Sequence, residues 1–134
     1  MRRLLIVTVA VAVVAVLAGT AAYAHHSYGA TYNVSDEVKV EGRLVQFVFR
    51  NPHSFVHVQA PDENGEQQRW AVEWAGTSQL DNAGVTRETL RVGDKITIVG
   101  RPSRVRGEHR MLMVTLLRES DGFAWGTRAG EVVE

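Results

Sequence analysis

Apolar and polar positions alternate with a period of two in several short runs within residues 36–118, separated by turn residues. That rhythm predicts strands rather than helices. Val38, Val40 and Leu44 share one phase, whereas Val45, Phe47 and Phe49 share the other. A phase switch beside Gly42 predicts a β-bulge or sharp coil in a long first strand, because one extra residue exchanges the two faces. Arg50-Asn51-Pro52 ends that strand, since proline lacks an N–H and restricts the residue before it. His53 to Ala60 reads as a second strand, with Val56, Val58 and Ala60 on one face and His53, Phe55 and His57 on the other. Pro61 to Gly65 is turn chemistry, with Asn64-Gly65 suited to positive φ. Gln67 to Ala75 is the third strand, where Trp70, Val72 and Trp74 alternate with Arg69, Ala71 and Glu73. On that phase Glu73 is expected to face outward, without the tuning of a catalytic acid.

From Gly76 the rhythm changes. Thr77 or Ser78 can cap a short helix through Ala83, with Gly84 as a left-handed stop, and Thr86 can open a further turn ending near Leu90. Lys95 to Gly100, with Ile96 and Ile98 in phase, is strand four. Met111 to Leu117 is strand five, apolar on both faces and so expected to be covered on each side. Phe123 and Trp125 are expected to tuck back, and residues 126–134 read as a loose tail. Three strands, a short helix and two strands is the element order of an OB-fold. The expected fold is therefore all-β, a small five-stranded OB-like barrel over residues 37–125 with one short helix between strands 3 and 4. An open antiparallel sandwich is the alternative.

The first residues follow a different pattern. Arg2 and Arg3 precede an uncharged apolar run from Leu4 to Gly19, and Ala22-Tyr23-Ala24 supplies the small-x-small pattern of a signal-peptide cleavage site. The run is shorter than the roughly 20 residues a spanning helix needs, which disfavours an uncleaved anchor. Residues 1–24 thus read as a cleaved leader, residues 25–36 as an N-terminal arm, and the product as periplasmic or secreted, with no stable membrane insertion.

Composition narrows the function classes. The 134-residue chain has 15 basic and 15 acidic residues and no cysteine. Arg2 and Arg3 leave with the leader, so the mature chain, residues 25–134, carries a slight acidic excess. Such a balance is not the footprint of a nucleic-acid binder. Without cysteine there is no disulfide framework, thiolate metal site or cysteine nucleophile. The mature chain is long enough to bury a core of its own, and a monomer is expected.

His25-His26-Ser27 directly after the leader, Asn51-Pro52-His53 closing strand one, a third strand bearing Trp70 and Trp74, Gly76 with the helix to Gly84, and Leu90-x-x-Gly93-Asp94-x-Ile96-x-Ile98-x-Gly100 occur in that order. The ordered set resembles a family of small exported bacterial proteins classed as a domain of unknown function. The resemblance covers nearly the whole mature chain. It implies an exported, barrel-like protein without catalytic hallmarks, and brings no established activity.

Three constellations carry candidate chemistry. Cleavage after Ala24 would give the chain an N-terminal His25, whose amine and imidazole, with His26 and an imidazole from His53 or His57, could form a brace for Cu(II) or Zn(II). On an extended strand His53 and His57 lie about 13 Å apart, so only one of them can join such a site unless the chain bends after Pro52. The opposing reading is a frayed terminus, a His53 bonded within its turn and a solvated His57, with His109 likewise solvated. A ligand or partner surface is the second candidate. It comprises Asn51 and Phe55 at the corner after strand one, Trp70 and Trp74 if they line a groove rather than the core, and Arg104 and Arg106 in the basic connector Arg101 to Arg110. Tyr28 and Tyr32 are candidates to pack against whichever tryptophan lies outside the core. The third candidate, catalysis, finds no Gly-x-Ser-x-Gly, His-Glu-x-x-His, phosphate loop or paired carboxylates. The reading that follows is a non-catalytic binding or accessory module for an unidentified protein or small ligand, with metal carriage or redox work as the alternative.

Overall fold

A computed structural model describes Met1 and residues 27–126. The rest of the proposed leader, His25, His26 and the tail after Gly126 lie outside the described residues. The chain divides into two compact units, Met1–Thr31 and Tyr32–Glu134. In the first, Ser27–Thr31 forms a short helix, α1. No helical period is legible there, because five residues barely complete one turn.

The second unit is a closed barrel. Its strands are β1 (Val38–Val48), β2 (Phe55–Pro61), β3 (Gln67–Glu73), β4 (Lys95–Pro102) and β5 (Arg110–Arg118), with a short β6 (Phe123–Trp125) added beside β5. Helix α2 (Thr77–Asn82) lies between β3 and β4. The strand order is β3-β2-β1-β4-β5-β6, and β3 also pairs with β5, which closes the barrel over β1 to β5. All pairings are antiparallel except β3 with β5, where Ala71, Val72 and Glu73 run parallel to Arg110, Met111 and Leu112. This is the expected OB-like barrel rather than an open sandwich. Closure leaves the five main strands without an unpaired edge.

Strand β1 belongs to both halves. Residues Val38 to Arg43 pair with β4, and Arg43 to Val48 pair with β2. Gly42 sits at this crossing, where a Cβ would stand 2.2 Å from the Gln59 carbonyl oxygen and 2.7 Å from Val58. The bulge lies slightly later than expected: the register slips between Leu44 and Gln46, so Val45 is the extra residue. Val40 and Leu44 therefore point inward before it, and Phe47 and Phe49 pack against the core after it. A second slip, opposite Val99 and Gly100, leaves Val114 unpaired within β5. That slip moves the inward set from Met111 and Met113 to Leu116. Much of the apparent two-faced apolarity of β5 is this change of phase.

The core gathers Val40, Leu44, Val56, Val58, Ala60, Val72, Ile96, Ile98, Met111 and Leu116. Leu80 of α2, with Val85 and Leu90 from the following loop, is also buried in it. Asn51 Oδ1 accepts a hydrogen bond from the Thr77 amide at 3.0 Å, which satisfies one of the donors that every helix start leaves over. Gly84, at φ 77°, ends the α2 segment as the sequence predicts. Trp74 is 1% exposed and meets Trp125 edge-on at 5.1 Å between ring centroids, so β6 does fold back onto the barrel. Among the described residues no helix is long and apolar enough to cross a membrane.

Candidate functional site

The β1–β2 connection is fixed by Ser54. Its side chain is fully buried, and its hydroxyl lies 3.2 Å from both the amide and the carbonyl oxygen of Arg50. Its own backbone continues the β2–β3 ladder, donating to the Ala75 carbonyl at 3.1 Å and accepting from the Trp74 amide at 2.8 Å. With Ser54 and Val56 turned inward, alternation sends Phe55 and His57 to the outer face. Register then places Glu73 opposite Phe55, Ala71 opposite His57, and Arg110 beside Ala71 across the parallel closure.

On this outer face a buried carboxylate gathers Tyr32, His53 and Arg110 around itself. Glu73 is 6% exposed. Its Oε2 accepts the Tyr32 hydroxyl hydrogen bond and a second one from the Arg110 terminal nitrogen at 2.8 Å. Oε1 lies 2.7 Å from Nδ1 of His53. Arg110 also donates through Nε to the Tyr32 oxygen at 2.8 Å. Burial alone would raise the Glu73 pKa, but hydrogen bonds from Tyr32 and Arg110, with the electrostatic pull of His53 and Arg110, hold it below the ordinary carboxylate value. Burial, reinforced by Glu73, pushes the Tyr32 phenol well above its ordinary range. The hydrogen bond to Glu73 raises Arg110, so both members of the pair stay charged.

Glu73 does take the outward phase that the sequence predicts, yet it is covered there by Tyr32 and Arg110. Tyr32 itself is 1% exposed and is bonded into this cluster. The backbone of Tyr32 pairs with Ser103, and the Asn33 amide donates to the Pro102 carbonyl at 2.8 Å, which lays this segment along the end of β4. His53 is bonded to the carboxylate through Nδ1. Glu73, Tyr32 and Arg110 are the residues that sequence reasoning missed. The available signal was topological: in an OB-like barrel the end of β3 runs beside the start of β5, so an acid at the first position and an arginine at the second are neighbours.

Beside the cluster lies an open hollow of about 400 Å³ lined by Arg50, Phe55, His57, Ala71, Glu108, His109 and Arg110. The guanidinium carbons of Arg50 and Arg110 stand 5.6 and 5.7 Å from the Phe55 ring centroid. Phe55 and His57 stack at 6.4 Å with an interplanar angle of 19°. His57 is half-buried; its Nδ1 is buried and has no hydrogen-bond partner among the described residues. Burial and the nearby Arg69 charge lower the His57 pKa, so the ring is neutral at pH 7.

His109 is not simply solvated. It meets the Trp70 indole edge-on at 5.0 Å and lies 3.9 Å from the Asp62 carboxylate. The sequence candidates thus divide. Phe55, His57 and His53 share one face, the first two at the hollow and the third at the Glu73 cluster. Asn51 is exposed and bonded to the start of α2. Trp70 and Trp74 are buried in the core. Arg104 and Arg106 are exposed on the β4–β5 connection and do not line the hollow. His25 and His26 lie outside the described residues. Among the described residues no group of three or more His, Asp or Glu side chains is arranged to hold a metal.

Among proteins of curated function, none matches this chain. A family match extends over residues 12–111, from the proposed leader to the first residues of β5. Its span takes in the Asn51-Pro52-His53 corner, Glu73 and Arg110, and on that extent the chain belongs to DUF6152, a family of unknown function.

Proposed function

We propose that this chain is an exported, non-catalytic binding module that seats a small ligand, or a side chain of a partner protein, in the hollow on the outer β2–β3 face. The observation that carries this reading is the convergence of the β1–β2 connection, strands β2 and β3, and the β4–β5 connection on one concave surface. OB-folds take ligands on that face between those two connections. Glu73 is not placed as a general acid or base: its two oxygens are engaged and it is held ionised, whereas such a group must exchange protons near the working pH. Export rests on the pattern of residues 1–24.

Titration of ¹⁵N-labelled mature protein with a small-fragment library, followed by amide shifts, tests the site. Shifts clustered at Arg50, Phe55, His57, Ala71 and Arg110 are expected. Hits that consistently map to another surface, with the hollow unmoved, would refute it.

One observation favours a second reading, a Cu(II)- or Zn(II)-binding protein. A carboxylate bonded to one ring nitrogen of a histidine is the arrangement that orients metal-ligating imidazoles, and Glu73 stands so to His53 at 2.7 Å. Further donors would be the amine and imidazole of His25, with His26. Metal titration of untagged mature protein separates the readings. Stoichiometric binding that disappears when one residue is placed ahead of His25 supports the brace; binding indifferent to that extension eliminates it.

A further inference from the structure

The charges around the hollow say what class of ligand suits it. We propose that it recognises an organic anion, a carboxylate or phosphate carried on a flat or apolar body, with Arg50 as the principal anion-binding group and Phe55 as the surface for the body. This rests on the hollow being the binding site.

The two guanidinium groups stand at nearly equal distances from the Phe55 ring, 5.6 Å for Arg50 and 5.7 Å for Arg110, but they are differently employed. Arg110 is committed to Tyr32 through Nε and to Glu73 through a terminal nitrogen, so its charge is largely answered within the protein. Arg50 is exposed, and among the described residues its guanidinium has no carboxylate partner; the Phe55 ring is its contact. Glu108 is the one carboxylate among the residues lining the hollow, and it is bonded to the Ser103 hydroxyl. A cation resting on an aromatic face with no ion pair of its own is an anion site, and the Glu108 carboxylate, bonded to Ser103, is the opposing group in the lining.

His57 adds a donor. Its Nδ1 is buried and unpartnered among the described residues, and a buried acceptor without a partner is tolerated better than a buried N–H without one. A neutral ring with its proton on Nε2 would offer that donor to a bound anion. The small side chain of Ala71, facing His57 across the ladder, keeps the floor open for a ring-sized body. Arginine offers a planar fork that either carboxylate or phosphate can meet with two parallel bonds.

Benzoate, phenyl phosphate and the neutral isostere benzamide are suitable probes, titrated separately into ¹⁵N-labelled mature protein, into Arg50→Gln and into Arg106→Gln. Benzoate or phenyl phosphate is expected to shift Phe55, His57 and Ala71 saturably, and the stronger of the two identifies the head group. Benzamide is expected to bind at least tenfold more weakly. Arg50→Gln should weaken the anion at least tenfold, and Arg106→Gln should leave it unchanged. Equal binding of benzamide and benzoate in the hollow would overturn the anion while keeping the site. Equal loss in both arginine variants would reduce the effect to general surface charge and overturn the role of Arg50. Shifts confined to another surface, or none, would overturn site and anion together.

Discussion

Replacing Glu73 with Gln keeps the shape of the side chain but removes the charge to which Arg110 and His53 are paired. The magnitude follows from how well those partners can return to water. Removing one member of a fully buried ion pair costs about 3–5 kcal/mol, because the other charge is stranded. Here the Arg110 and His53 side chains are 35% and 36% exposed, so water can recover part of that loss. Gln also keeps an acceptor for the Tyr32 hydroxyl. Loss of the charge-assisted bonds, each worth about 1.5–3 kcal/mol and partly replaced, leaves a net destabilisation of about 2 kcal/mol at pH 7.

Urea unfolding followed by the fluorescence of the buried Trp70 and Trp74 measures this directly. With a slope of about 2 kcal/mol/M, the midpoint should fall by about 1 M while the slope stays the same. The deficit should also depend on pH. The Glu73 pKa is lower in the folded than in the unfolded chain, so its contribution is complete above the unfolded value near 4.5 and is lost as pH falls through the folded value. Wild type and variant should therefore converge in acid. A deficit at pH 7 below about 0.5 kcal/mol, the range of an inconsequential surface substitution, would refute the ion-pair account. So would a deficit of the same size at pH 7 and pH 3.

Other perturbations test separate parts of the structure. Gly42→Ala places a methyl group 2.2 Å from the Gln59 carbonyl oxygen and should lower stability by about 2 kcal/mol or more, read as the thermal midpoint in calorimetry. Leu80→Ala removes a fully buried side chain of α2 and should cost about 2–5 kcal/mol in the same assay. The His57 ring protons, followed by NMR, should titrate below the ordinary histidine value of 6.5, because burial and Arg69 disfavour the cation. Since the folded pKa is the lower one, this group subtracts stability as pH falls through 6.5 toward the folded value, and His57→Gln should flatten that part of the stability profile.

The barrel was legible because β2, β3 and β4 keep a period-two pattern and the helix after β3 falls where an OB-like order requires it. Phase errors arose where the chain inserts a residue. Val45 and Val114 are each locally an ordinary apolar position, and only the pairing partner reveals that it is the extra one. Glu73 shows a different limit. Alternation says that its side chain leaves the core, but it cannot say whether the outer face is covered, since the cover comes from Tyr32 and Arg110, 41 and 37 positions away. Likewise Arg110 reaches the Phe55 ring, beside Arg50, only because the parallel closure brings β5 beside β3, a contact to which no local pattern points.

That closure also constrains how the protein can be made. Residues 71–73 have no β5 partner until residues 110–112 exist, so the pairing that closes the barrel joins distant parts of the chain and can form only once nearly all of it is present. Docking of the last barrel strand, not any early hairpin, completes the fold. A chain truncated before Arg110 would present exposed sheet edges to its neighbours and is expected to aggregate rather than to fold into a smaller barrel.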